Sequence, residues 1–309
     1  MRFQFTLAQL EYTVALADHG HFGRAAASCG VSQPALSMQL RSLERTLGLA
    51  IFDRSRSPVV TTDLGAIVVE QARALLRDGA ALAELPARMA GRIEGELRLG
   101  VLPTLAPYLL PRALPALARR YPALRLTIME LPTPLVLERL RAESIDAGLI
   151  ATPPDDPGMH HRALFREPLM LYVHAGHPLA PRKRVRPDEL SSSEAWLLSD
   201  EHCLRQQSLA LCGEHDAEGA GLVRFESGNV ETLRRLVESG DGFTLVPWLA
   251  LPNPVPRSVR VIPLGPPSAY REIQLVHRRQ YLKRHLIDAV VGALLEALPV
   301  ECPLVTRRT

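Results

Sequence analysis

Residues 22–54 read FGRAAASCGVSQPALSMQLRSLERTLGLAIFDR. The Ala-rich opening, residues 22–29, suits a short helix, and Gly30 with Val31 suits a tight turn. Ser32 is a good N-cap, and Pro34 falls in the first turn of the next helix, where its missing N–H does no harm. That helix carries Leu36, Leu40, Leu43 and Leu47 as an inner stripe and stops at Gly48. Ala25 and Ala26 are small where two helices must cross closely. Upstream, residues 7–17 place Leu7, Leu10, Val14 and Ala17 at helical spacing. Downstream, residues 51–65 give two short extended runs around Ser55–Pro58, a hairpin or wing. Three helices and a wing make a winged helix-turn-helix.

The outer face of the second helix shows Gln33, Ser37, Gln39 and Arg41, side chains that can donate to base edges or phosphates. Arg54 and Arg56 sit on the wing, within reach of phosphate or minor groove. A solvated helix face carries similar residues. The combination of tight turn, Gln/Ser-rich face and Arg-bearing wing favours DNA binding. Ser32, Gln33, Pro34, Ser37, Gln39, Arg41, Arg54 and Arg56 form the expected DNA-reading set.

Residues 63–85 form a long helix that Pro86 is expected to end. Its apolar stripe is too broad for a helix leaving a small domain to bury alone, so pairing with a second copy is expected. From residue 96 the pattern alternates strands and helices: strands near 96–102, 124–131, 146–151, 168–174, 195–199, 243–248 and 271–277, and helices near 105–120, 134–142, 229–239 and 282–298. Such alternation predicts α/β layers with mainly parallel sheets. The expected organisation is a winged helix-turn-helix (1–62), a linker helix for dimerisation (63–90) and an α/β effector domain (91–309). The effector region divides into two Rossmann-like subdomains, as in periplasmic binding proteins: 91–166 with 269–300, and 167–268. Ligands belong in the crevice at the strand carboxyl ends.

Composition narrows the classes further. The chain has 309 residues, a net charge of +3 and four cysteines, too few for a disulfide scaffold. No basic and apolar leader is read at the start, and no apolar run reaches the roughly 18 residues of a membrane span, so a cytoplasmic protein is expected.

The run from Phe22 to Arg54 resembles the DNA-binding signature of LysR-type transcriptional regulators, and the linker helix and two-part effector region are similar to that family too. The resemblance implies a cytoplasmic regulator of promoter DNA that contacts RNA polymerase, usually a tetramer built from dimers, and not an enzyme. Residues 202–212, HCLRQQSLALC, resemble the corresponding segment of a hydrogen-peroxide-sensing activator within it, as do GVLPTLAPYLLP and VETLRRLVESGDGFTLVP. Carried over, Cys203 is the peroxide-reactive thiol, Cys212 the resolving thiol, and Thr104, Thr133, His202 and Arg271 line the peroxide pocket. No cofactor or metal is implied. Two departures stand out: Gln206 replaces a usual acid, and ESGN before Val230 differs from the family pattern.

A thiol sensor reacts as thiolate, and a cysteine beginning a helix is favoured as thiolate by the helix dipole. If 203–212 is helical, nine steps of about 100° put the two thiols on opposite faces, about 13 Å apart along the axis. A disulfide needs Cα atoms within about 7 Å. The segment must therefore unwind before the bond closes, which makes it a two-state element biased by oxidation. Thr104 and Thr133 follow strands on the crevice side, and for Thr133 helix capping is an equal reading. Three rivals remain. His202, Cys203, Cys212 and His215 could hold zinc, though without short ligand spacing. A small organic inducer could occupy the crevice, with incidental cysteines. A thiol peroxidase would share the chemistry, with no use for the N-terminal domain. Cys29 and Cys302 receive no role.

Overall fold

The computed structural model describes residues 4–89, 91–191, 195–212, 228–240, 242–266, 269–279 and 283–300. They form two compact units, Met1–Gly91 and Arg92–Thr309.

In the first unit, α1 (Leu7–His19), α2 (Phe22–Ser28) and α3 (Gln33–Leu47) precede a two-stranded hairpin, β1 (Phe52–Asp53) and β2 (Val60–Thr61). Thr6 and Gln9 close a reciprocal capping box on α1. Ser32 caps α3 through its hydroxyl, which accepts from the Ala35 N–H at 3.4 Å. Gly30 and Gly48 adopt φ of +67° and +70°, the left-handed turn conformation in which a side chain is strained. Leu10, Leu16, Ala25, Ala26, Leu36, Leu40 and Leu43 bury together with Ile51 and Phe52. Leu47 departs from the expected inner stripe: in the last turn of α3 it is exposed. The long helix α4 (Asp63–Met89) also runs past Pro86. A proline this close to a helix end removes one hydrogen bond of the final turn, too little to stop the helix at that point. Leu64, Ile67, Leu75 and Leu82 are all exposed along it.

The second unit opens with β3 (Gly95–Val101), α5 (Ala106–Arg120), β4 (Leu124–Glu130), α6 (Thr133–Arg141) and β5 (Ala147–Ile150). The long strand β6 (Met159–His174) follows. Then come α7 (Cys203–Leu209), α8 (Val230–Ser239), β7 (Phe243–Pro247), β8 (Val259–Pro263), β9 (Tyr270–Arg278) and α9 (Arg284–Glu296). Among the named strands, β3–β4 and β3–β5 pair in parallel, and the pairs β5–β9, β6–β9, β6–β7 and β6–β8 are antiparallel. The sheet is thus mixed, not mainly parallel, because β6 and β9 run against their neighbours between the two halves. β6 pairs with β9 over residues 159–168 and lies between β7 and β8 over 169–174, so a single strand belongs to both halves. β8 was not foreseen. The strand expected at 195–199 reduces to isolated bridge residues, Ala195, which pairs with Phe243, and Leu198.

Two cores result. One gathers Leu97, Leu99 and Val101 with Leu105, Leu109, Ile273, Leu286 and Val290. The other gathers Leu171, Tyr172 and Val173 with Leu204, Leu233, Val237, Phe243 and Ile262.

Candidate functional site

The segment α7 lies across these two cores, and its helical period explains how. Residues four apart share a helix face. Cys203 packs against the first core, and Gln207, four residues on, donates from Nε2 to the Ala151 carbonyl of that core at 3.2 Å. Leu204, Ser208 and Cys212 form the other stripe: Leu204 and Cys212 belong to the second core, and the buried Ser208 hydroxyl donates to the Leu204 carbonyl at 2.8 Å. Both thiols are free. The α-helix stops at Leu209, short of the expected 212, yet the Ala210 N–H still donates to Gln206 O, and those of Leu211 and Cys212 to Ser208 O. Turn hydrogen bonds therefore continue the backbone curl to Cys212, and the two cysteines pack against different cores. Cys212 is 4% exposed, and burial pushes its thiol up to about 11. Cys203, half-buried, is the first residue of α7.

His202 precedes the helix and is buried. Burial holds its imidazole below the ordinary value, opposed by the Glu201 carboxylate, so the ring is neutral near pH 7. Its Nε2 has no hydrogen-bond partner among the described residues; the Glu201 carboxylate stands 3.5 Å away. Arg205 is directed elsewhere, to Asp200 at 2.6 Å and to the Leu198 carbonyl at 3.0 Å. Thr133 is the first residue of α6, not its cap, and the cap residue Pro132 makes no side-chain cap hydrogen bond. The capping reading of Thr133 therefore fails. Among the described residues its buried Oγ1 has no partner, nor has Oε1 of Gln207. Such orphans are uncommon, and each costs about 1–3 kcal/mol unless something binds there.

Thr104 and Arg271, by contrast, meet directly. Arg271 Nη1 donates to Thr104 Oγ1 at 2.9 Å and Nη2 to the Thr104 carbonyl at 3.1 Å. Since the hydroxyl accepts from a guanidinium, its own hydrogen is left to donate. Glu167 completes the array: Oε1 accepts from Arg271 Nε at 2.6 Å, and Oε2 from the Leu249 N–H at 3.0 Å. The side chains of Glu167 and Arg271 are 0% exposed. Sequence reasoning missed Glu167 and Gln207. An acid inside the apolar run of β6 was the available sign for the first, and the four-residue offset from Cys203 for the second.

In the first unit, Gln33, Pro34 and Arg41 are exposed and Ser37 half-buried along α3. Two expected DNA-reading residues have partners at home. Gln39 accepts from Gln9 Nε2 at 3.1 Å. Arg54 pairs with Glu44 at 2.7 Å and lies over the Phe22 ring, while Glu44 also accepts from the Ile51 and Phe52 N–H groups. Arg56 is exposed beside Asp53.

The chain matches the family model described as bacterial regulatory helix-turn-helix protein, lysR family, over residues 7–66, and LysR substrate binding domain over residues 90–299. It belongs to the LysR family of transcriptional regulators. This LysR-type regulator is 39% identical over 273 residues to the hydrogen peroxide-inducible genes activator of Dickeya chrysanthemi, covering 88% of this chain and 89% of that one. It is 38% identical to the DNA-binding transcriptional dual regulator OxyR of Escherichia coli, over the same shares. Among solved structures it is similar to a full-length OxyR variant from Pseudomonas aeruginosa, with 32% identity, a TM-score of 0.79, and coverage of 94% and 98%. A hydrogen-peroxide-bound mutant OxyR from Corynebacterium glutamicum gives 30% identity and a TM-score of 0.62, with coverage of 96% and 94%. The family is one of transcription regulators. Among the described residues no three His, Cys, Asp or Glu side chains group as a metal site, and no helix is long and apolar enough to cross a membrane; His215 and Cys302 lie outside those residues.

Proposed function

We propose that this LysR-type regulator senses hydrogen peroxide through Cys203 and Cys212 and activates oxidative-stress genes from promoter DNA in the cytoplasm. The observation that carries the reading is the division of α7 between two cores, one thiol to each. The Cys203 thiolate attacks one peroxide oxygen; the O–O bond breaks, a proton joins the leaving oxygen, and sulfenic acid and water form. The thiol of Cys212 then attacks the sulfenic sulfur, releasing a second water and closing the disulfide. The hydroxyl hydrogen of Thr104, Oγ1 of Thr133 and Nε2 of His202 are suited to hold the peroxide, with Arg271 fixing Thr104 in place. The Oε1 of Gln207 is a further acceptor.

Closing the bond requires that α7 give up the amide bonds of Ala210, Leu211 and Cys212 and the Ser208 hydroxyl bond. At about 0.5–1.5 kcal/mol net each, the four together cost roughly 2–6 kcal/mol, before the loss of Cys212 burial. That cost keeps the reduced form intact until oxidation supplies the driving force. The exposed leucines of α4 support a homodimer through the linker helix (63–90), and dimers would assemble as a tetramer. The effector region (91–309) would remodel on oxidation and change the spacing of DNA-reading heads and the contact with RNA polymerase. Footprinting of reduced and peroxide-treated protein on its own promoter tests this, alongside Cys203→Ser. The variant should keep the reduced footprint after peroxide; a wild-type shift in it refutes the assignment. An organic inducer that shifts the footprint while peroxide leaves both thiols free would favour the inducer reading instead.

A further inference from the structure

Met38 sits in the second turn of α3 and is 60% exposed, a large apolar side chain on a face otherwise polar and basic. It is not part of the core: Leu36, Leu40 and Leu43 point to the opposite side and are fully buried. Pro34, Ser37, Met38, Arg41 and Arg45 share one stripe of the helix, at offsets of three, four, seven and eleven residues from Pro34, and line a shallow depression of 380 Å³. Neither Arg41 nor Arg45 pairs with a carboxylate among the described residues, so two cations follow the thioether, one and two turns further along the helix. With Gln39 turned to Gln9 and Arg54 to Glu44, this stripe is what the helix presents outward.

The floor of the DNA major groove offers one apolar group, the thymine C5-methyl, and the N-terminal part of a recognition helix is what reaches it. We infer that Met38 is a specificity-determining residue that packs on a thymine methyl in each half-site, while Arg41 and Arg45 hold the duplex. An exposed thioether beside two arginines that meet no carboxylate among the described residues fits an anionic partner that carries a recessed methyl. The inference rests on the DNA-binding reading of the first unit.

The test uses the full-length protein and a duplex selected by it from a random pool. Each thymine is replaced in turn by uracil, which removes the methyl and leaves every hydrogen-bonding group, and affinity is measured by fluorescence anisotropy at fixed salt. At one or two thymines per half-site, uracil should weaken wild-type binding roughly fourfold, the worth of one buried methyl-sized group. Met38→Ala should bind the parent duplex more weakly, keep its low-salt affinity for unrelated DNA, and no longer distinguish thymine from uracil there. Met38→Leu should keep the discrimination. Uracil replacements without cost in the wild type, or with undiminished cost in Met38→Ala, overturn the inference. Failure to select or bind any duplex would instead sink the DNA-binding reading itself.

Discussion

Glu167→Gln keeps the shape of the side chain and removes its charge. The consequence follows from the burial of its partner. Arg271 is 1% exposed overall, and among the described residues its guanidinium is held by Glu167 and the two Thr104 oxygens. Without the carboxylate, a positive charge stays buried with neutral acceptors only. Breaking a buried pair from one side costs about 3–5 kcal/mol. For a unit of this size each kcal/mol lowers the midpoint by roughly 2–4 °C, so a fall of about 6–20 °C is expected. The two tryptophans, Trp196 and Trp248, both lie in the unit Arg92–Thr309, so tryptophan fluorescence follows that unit's unfolding without a signal from the DNA-binding unit. Guanidinium titrations read this way should show the loss. The double variant Glu167→Leu with Arg271→Met should recover much of it, because no charge is then stranded. The double variant should also react with peroxide more slowly at Cys203, since Thr104 then loses its Arg271 tether. A loss under about 1 kcal/mol in Glu167→Gln would refute the view that this pair is a buried charge array.

The remaining predictions are briefer. A Cβ on Gly65 would stand 1.9 Å from the Ile51 carbonyl oxygen, so Gly65→Ala should destabilise the DNA-binding unit by about 3 kcal/mol and lower DNA affinity; unchanged far-UV melting of that unit would contradict it. Cys212 should resist alkylation in the native reduced protein at pH 8 while Cys203 reacts, as peptide mapping by mass spectrometry would show. Because the folded thiol titrates near 11 against an ordinary 9.0, its contribution to stability is complete below pH 9 and is lost as pH rises toward 11, at up to about 1.4 kcal/mol per pH unit. Cys212→Ala should lack that part of the alkaline decline in a series of denaturant titrations; an identical pH profile in both proteins would count against burial as the cause.

The DNA-binding unit was legible because its signals are local: a capping serine, a left-handed glycine and leucines at helical spacing each act within a few residues. The same locality explains the errors. Period and capping identify an outward face, but the partners of Gln39 and Arg54 come from other elements, Gln9 of α1 thirty residues away and Glu44 of α3 ten residues away. The effector unit was legible as alternating strands and helices, yet strand direction depends on pairing over long separations, which hid the antiparallel role of β6 and β9. The nine-residue thiol spacing carried its meaning in the sequence, since 3.6 residues per turn fixes which side chains share a face. Glu167 did not, because its partner Arg271 is 104 residues away. Thr133 was ambiguous for a related reason: only the fold shows that the helix begins at Thr133 itself, one residue after its cap.

The central claim is that α7 must unwind for Cys203 and Cys212 to join. Hydrogen exchange on the amides of residues 206–212, measured before and after stoichiometric peroxide together with disulfide mapping, tests it most directly. Oxidation should yield a Cys203–Cys212 disulfide and, with it, a loss of protection at Ala210, Leu211 and Cys212, both absent in Cys212→Ser. A disulfide formed with those amides as protected as in the reduced protein, or two thiols still free after peroxide, would contradict the account.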